Sequence, residues 1–143
     1  MSDESSAMKL EDHKIFPLYS ASNKVVRIYS QELEKLNLTY TQYLVMLVLW
    51  EKENINEKEL GEKVFLKSNT LTPLLNKLVE KGYVRKSRNV SDIRNIVISL
   101  TPKGRQLKEQ AASIQGNVAD KVNLNDEESQ QLFDLLMKIL KEE

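Results

Sequence analysis

The chain has 143 residues, one histidine, no cysteine, and 21 basic side chains against 21 acidic ones. That length suits a single domain with its own core, and the missing thiols exclude disulfides, thiolate metal sites and cysteine nucleophiles. His13 alone cannot anchor a zinc site, no stretch nears the roughly 18 apolar residues of a membrane span, and the acidic start MSDESSAMKLED is no secretion signal; the expectation is a cytoplasmic protein with no metal, cofactor or membrane partner.

Residues 1–10 read as a weakly ordered arm. From about His13 to Leu36, the residues Ile15, Leu18, Tyr19, Val26, Tyr29, Leu33 and Leu36 recur at steps of three and four, the spacing of one long amphipathic helix. Asn37 is its stop. Thr39 and Gln42 form a capping box that opens a second helix, whose run Leu44–Trp50 is apolar all round and marks the core element. Asn56 and Glu59 repeat the box and start a short third helix, Glu57 to about Val64. After a four-residue turn, Phe65–Ser68, a fourth helix spans Thr70 to Lys81, capped by Ser68 or Asn69 and ended by Gly82. Pro73 is placed in its first turn.

Tyr83–Arg88 and Asn95–Leu100 read as two strands of a hairpin, joined by turn chemistry at Asn89-Val90-Ser91-Asp92. Thr101-Pro102 caps a fifth helix reaching about Val118. Asn125 with Glu128 caps a last helix, where Asp126, Glu127 and Glu128 complement the dipole rather than form a catalytic cluster. The fold class is therefore mainly α with a small β-hairpin wing, a winged helix-turn-helix. No acid–base pair, nucleophile–base pair or phosphate loop stands in a sensible setting, so the chain is not read as an enzyme.

The neutral total hides an asymmetry. Lys67 to Arg105 carries nine basic residues against Glu80 and Asp92, a local charge of +7, which leaves −7 for the rest. A cationic segment inside a neutral carrier is the footprint of a nucleic-acid reader. In the fourth helix, Thr70 and Thr72 can meet thymine methyls or donate to phosphate, and Asn69 can pair with an adenine edge. Lys67, Ser68 and Lys77 lie on the same outer faces. Arg85, Lys86 and Arg88 can hold phosphates, and the hairpin tip carries Arg94 toward a minor groove.

These residues resemble the MarR family. Leu66-Lys67-Ser68-Asn69-Thr70-Leu71-Thr72-Pro73-Leu74-Leu75 looks like its recognition helix, and Asp92-Ile93-Arg94 followed by Ile98-Ser99-Leu100-Thr101 and Gly104 looks like its wing. The likeness runs from about residue 9 to 140 and is nearest the peroxide-sensing OhrR subgroup with MgrA and SarZ. It implies an interleaved helical homodimer, with residues 11–37 and 102–143 as dimerisation helices and 38–101 as the winged helix-turn-helix. The partner is double-stranded DNA with a pseudo-palindromic site, Arg94 enters the minor groove, and Asp92 braces the wing. The amphipathic outer helices, which lack another partner in a chain this size, agree with the dimer.

Two departures stand out. Ile15 occupies the place of the subgroup's redox cysteine, and Lys67 stands where relatives often have aspartate. Tyr29 and Tyr40 still hold the positions whose counterparts bond that sulfur. Two readings stay open: both tyrosines simply pack with satisfied hydroxyls, or Ile15, Phe16, Tyr19, Tyr29, Tyr40 and Leu44 line a pocket for a small apolar or phenolic effector that releases a repressor from DNA. A different class of function, a protein-binding or architectural factor with weak DNA binding, also remains. Isoleucine cannot form a sulfenic acid. An organic hydroperoxide is therefore expected to leave DNA binding unchanged in a gel-shift titration; prompt release would place a sensor elsewhere in the chain.

Overall fold

The computed structural model describes residues 8–88 and 95–141. Its helices are α1 (Phe16–Leu33), α2 (Tyr40–Glu51), α3 (Glu57–Val64), α4 (Ser68–Glu80), α5 (Pro102–Ala111), α6 (Ile114–Val122) and α7 (Asp126–Leu140), with strands β1 (Asn54–Asn56), β2 (Val84–Arg88) and β3 (Ile96–Leu100). The expected winged helix-turn-helix order is present. No helix among the described residues is long and apolar enough to cross a membrane.

The chain divides into two compact units, one formed by residues 1–28 and 113–143, the other by 29–112. In the second unit, α2 is the centre of the core. Tyr43, Val45, Met46 and Leu49 of this helix are buried, together with Leu60 of α3, Leu71, Leu75 and Leu78 of α4, and Ile98 of β3. Its start is fixed by the capping box: Thr39 Oγ1 accepts from the Gln42 amide, while Gln42 Oε1 accepts from the Thr39 amide at 3.1 Å. Asn37, at φ 55°, makes the left-handed step that ends the preceding segment.

Several elements differ from the sequence reading. The first helix is shorter, flanked by 3-10 turns at Leu10–Asp12 and Glu34–Leu36. The wing is the outer part of a three-stranded antiparallel sheet ordered β1-β3-β2, not a free hairpin. Strand β1 has only three residues and exists by pairing Asn54, Ile55 and Asn56 with Ser99, Ile98 and Val97. Helix α4 starts at Ser68 with Lys67 as N-cap and no side-chain cap, so Pro73 falls in its second turn. There proline removes the amide that would have bonded the Asn69 carbonyl, an oxygen on an exposed residue that water can reach. Asn56 caps α3 by accepting from the Lys58 and Glu59 amides, but Glu59 turns to Lys52 Nζ at 3.2 Å instead of closing the box. The expected fifth helix is broken at Ala112–Ser113 into α5 and α6. Leu107, Ala111, Ile114 and Val118 stay buried across the break, so the apolar spacing conceals it. The last helix and its Asn125–Glu128 box stand as read.

One junction joins α4, the sheet and α5. Gly82, at φ 82°, ends the α4 segment, and the next carbonyl, that of Tyr83, accepts from the Thr101 amide at 3.1 Å. Thr101 Oγ1 donates to the Gly82 carbonyl and accepts from the Gly104 amide. The Trp50 indole donates to the Gly104 carbonyl at 2.9 Å, tying the end of α2 to the start of α5. A methyl group at Gly104 would sit 2.1 Å from the Tyr83 carbonyl oxygen and 3.2 Å from Leu100 Cδ2. Helix propensity alone favours alanine there by about 1 kcal/mol, but a backbone oxygen cannot yield cheaply. Gly104→Ala is expected to cost about 3 kcal/mol and lower Tm by about 10 °C in a thermal melt; an unchanged or higher Tm would show that the junction is loose.

Candidate nucleic-acid interface

The turn between α3 and α4 is as tight as its backbone permits. Phe65 adopts φ 57°, and the amides of Phe65 and Leu66 both reach the Gly61 carbonyl, the latter at 3.0 Å. A methyl group on Gly61 would lie 2.8 Å from the Leu66 carbonyl oxygen and 3.3 Å from Leu71 Cδ2. Glycine is thus needed for the second helix to pack against the first at this distance.

Helix α4 separates its residues by face. Leu71, Leu74, Leu75 and Leu78 are buried, while Lys67, Ser68, Asn69, Thr70 and Lys77 are exposed. The short polar side chains cluster at the N-terminal turn, where the first amides of a helix have no partner within it and the dipole favours an anion. Arg85 and Arg88 are exposed on β2. These seven residues are therefore brought onto the surface of one unit. Asp92 and Arg94, expected at the wing tip, lie outside the described residues.

Thr72 and Lys86 are placed differently from the rest. Thr72 is half-buried, and its hydroxyl donates to Glu57 Oε1 at 3.3 Å. The same oxygen lies 3.9 Å from Lys86 Nζ, with the two side chains 25% and 16% exposed. A pair this long and partly solvated contributes about 0–1 kcal/mol, so its effect is on position rather than stability. Beside it, Asn56 Nδ2 donates to Asn95 Oδ1 at the foot of the wing's return strand. The first turn of α3 therefore touches the outgoing strand, the returning strand and α4. Sequence reading missed this use of Asn56 and Glu57. An acid in a helix's first turn already has a local explanation in the dipole, and nothing local announces a partner fifteen residues on.

The far end of α4 is also anchored. Lys81 Nζ donates to the Asn37 carbonyl at 2.6 Å and to Gln42 Oε1 at 2.8 Å. Burial, and then the Lys77 ammonium one turn earlier, lower the Lys81 pKa. Lys103 Nζ donates to the Lys81 carbonyl and lies 5.2 Å from the centre of the Tyr83 ring.

The residues proposed from sequence for an effector pocket fall in both units. In the first, Ile15, Phe16 and Tyr19 line an open apolar depression of about 580 Å³ with His13, Leu18 and Ser22. In the second, Tyr29 meets Tyr40 at 4.7 Å and Tyr43 at 5.7 Å between ring centres. Leu44 of the same unit is half-buried.

With the geometry in place, comparison with known proteins decides the family. The family described as transcriptional regulator SarA/Rot matches residues 27–111.

The chain belongs to the SarA/Rot transcriptional regulators, of the MarR winged-helix type.

The SarA/Rot chain is 39% identical to the organic hydroperoxide resistance transcriptional regulator of Bacillus subtilis, over 98% of this chain and 95% of that one. It is 40% identical to the regulator SarZ of Staphylococcus aureus, over 85% of this chain and 82% of that one. Among solved structures, reduced AbfR bound to DNA superposes with a TM-score of 0.78 at 32% identity, over 96% of each chain. These relatives bear out the resemblance to OhrR and SarZ read from the sequence. They are named as transcriptional regulators, and the sequence of this one holds no cysteine.

Burial raises the Tyr29 pKa above its ordinary 10.0. Burial, and then the neighbouring Tyr29 and Tyr43, raise that of Tyr40. A raised folded-state value means that the stability tied to these neutral phenols is complete below pH 10 and is lost as pH climbs through the folded-state values. Ultraviolet titration of tyrosinate is therefore expected to contain a late component that Tyr29→Phe with Tyr40→Phe removes. A variant titration curve that keeps the late component would show that these rings are solvated.

Proposed function

We propose that this SarA/Rot-type regulator binds double-stranded DNA as a homodimer and acts as a repressor. The observation that carries the reading is the exposed, cation-rich surface formed by α4 and β2 on a single unit, opposite an apolar packing face. Lys67, Ser68, Asn69, Thr70 and Lys77 enter or border the major groove, Arg85 and Arg88 hold phosphates, and Arg94 reaches the minor groove with Asp92 bracing the wing. AbfR, whose structure was solved on DNA, supports the same use of the fold.

Residues 38–101 are the reading module, and residues 11–37 with 102–143 form the dimer. Support for the second half comes from α7, where Leu132, Phe133, Leu135, Ile139 and Leu140 are exposed in the single chain. Apolar side chains on that scale are best explained by a second copy. Two reading modules related by a two-fold axis read half-sites about one turn of DNA apart. The regulator acts in the cytoplasm, has no catalytic role and uses no cofactor. A small apolar or phenolic effector lowers its affinity for DNA. The depression bordered by Ile15, Phe16 and Tyr19 supports such a ligand by its size, which lies within the range of small-molecule pockets.

Enrichment of random duplex DNA by the purified protein at moderate salt, followed by sequencing, is expected to return a pseudo-palindrome. Failure to enrich any sequence, together with a binding constant insensitive to salt, would favour a protein-binding role for the fold.

A further inference from the structure

Glu57 is a carboxylate beside a surface proposed to meet phosphates, and its position gives it two partners there. Its Oε1 accepts the Thr72 hydroxyl proton at 3.3 Å and lies 3.9 Å from the Lys86 ammonium. It occupies the first position of α3. We infer that Glu57 is a specificity-determining residue: it takes the Thr72 hydroxyl proton and offsets the charge of Lys86 beside the phosphates, so the protein gives up sequence-independent affinity and gains discrimination. This rests on the DNA-binding reading above.

Two consequences follow from elementary chemistry. A lysine whose charge is matched by an adjacent carboxylate adds little to counterion release, the source of sequence-independent affinity. A threonine hydroxyl has one proton and two lone pairs. With that proton given to Glu57, Thr72 can only accept from a base, as from adenine N6 or cytosine N4, or meet a thymine methyl. Without the carboxylate it can also donate to guanine or to thymine O4, and the preference at that base pair widens. The neighbouring Asn56–Asn95 bond fixes the wing's return strand to the same turn of α3, so the arrangement has little freedom to relax.

The test uses the full-length protein with Glu57→Ala, which removes both the charge and the acceptor of the Thr72 proton, and, separately, Lys86→Gln. Both are measured by random-duplex enrichment and by the salt dependence of binding to one arbitrary duplex. Glu57→Ala is expected to bind the arbitrary duplex several-fold more tightly. Its plot of log K against log salt should steepen by about 0.9, one phosphate contact, and one base-pair position in each half-site should lose its preference. Lys86→Gln should leave the slope unchanged, and it keeps the inference open to failure if Glu57→Ala does not fold. An unchanged slope and unchanged site for a folded Glu57→Ala would overturn the inference, as would a slope reduced by about 0.9 in Lys86→Gln. A wild type that enriches nothing would remove the DNA-binding reading and this inference with it, whereas an enriched wild-type site with either of the preceding results removes the inference alone.

Discussion

The close approach of α5 to the Tyr83 carbonyl is the constraint on which the reading unit depends. At Gly104 any other residue's Cβ would lie 2.1 Å from that oxygen. Thr101 and Trp50 bond across the same point. The end of α4, the start of β2, the end of β3 and the end of α2 are therefore referred to one place. A recognition helix and a wing are useful together only if the angle between them is fixed. Here it is fixed twice, at the base by Gly104 and its neighbours, and at the side by Asn56, the N-cap of α3, and Glu57, its first residue.

Charge is distributed to match. The protein is neutral overall, yet the segment from Lys67 to Arg105 holds an excess of seven positive charges. That excess is not uniformly available. Lys81 is committed to Asn37 and Gln42, Lys103 to the Lys81 carbonyl, and Arg105 to Glu53 at 2.5 Å. Lys67, Lys77, Arg85 and Arg88 remain exposed around the short polar residues of the first turn of α4. A count of basic residues therefore overstates the contacts with DNA. The structural cations set the frame, and the exposed ones are those we propose to meet DNA.

What was legible in the sequence was local. The boxes at Thr39–Gln42 and Asn125–Glu128 and the stop at Gly82 are signals carried by residues three or four apart, and each stands where it was read. The helix-turn-helix and the family resemblance were legible for the same reason. What was not legible depends on partners distant in the chain. Strand β1 exists only through β3, and its three residues carry no signature of their own. The break before α6 is masked by a continuous apolar spacing. Ser68 and Asn69 are both plausible caps, so sequence could not choose the start of α4, and the structure uses neither as a side-chain cap. In the candidate site, the exposed face of α4 followed from periodicity, but the engagement of Thr72 and Lys86 by Glu57 did not.

The central claim is that two identical reading units, each a fixed pair of helix and wing, engage DNA about a two-fold axis. Hydroxyl-radical footprinting on an enriched duplex tests it most directly, because it maps contacts along both strands without assuming which residues make them. The account predicts two symmetric protected segments separated by about one helical turn, with flanking protection from the wings. A single asymmetric footprint, or uniform weak protection along the duplex, would contradict it.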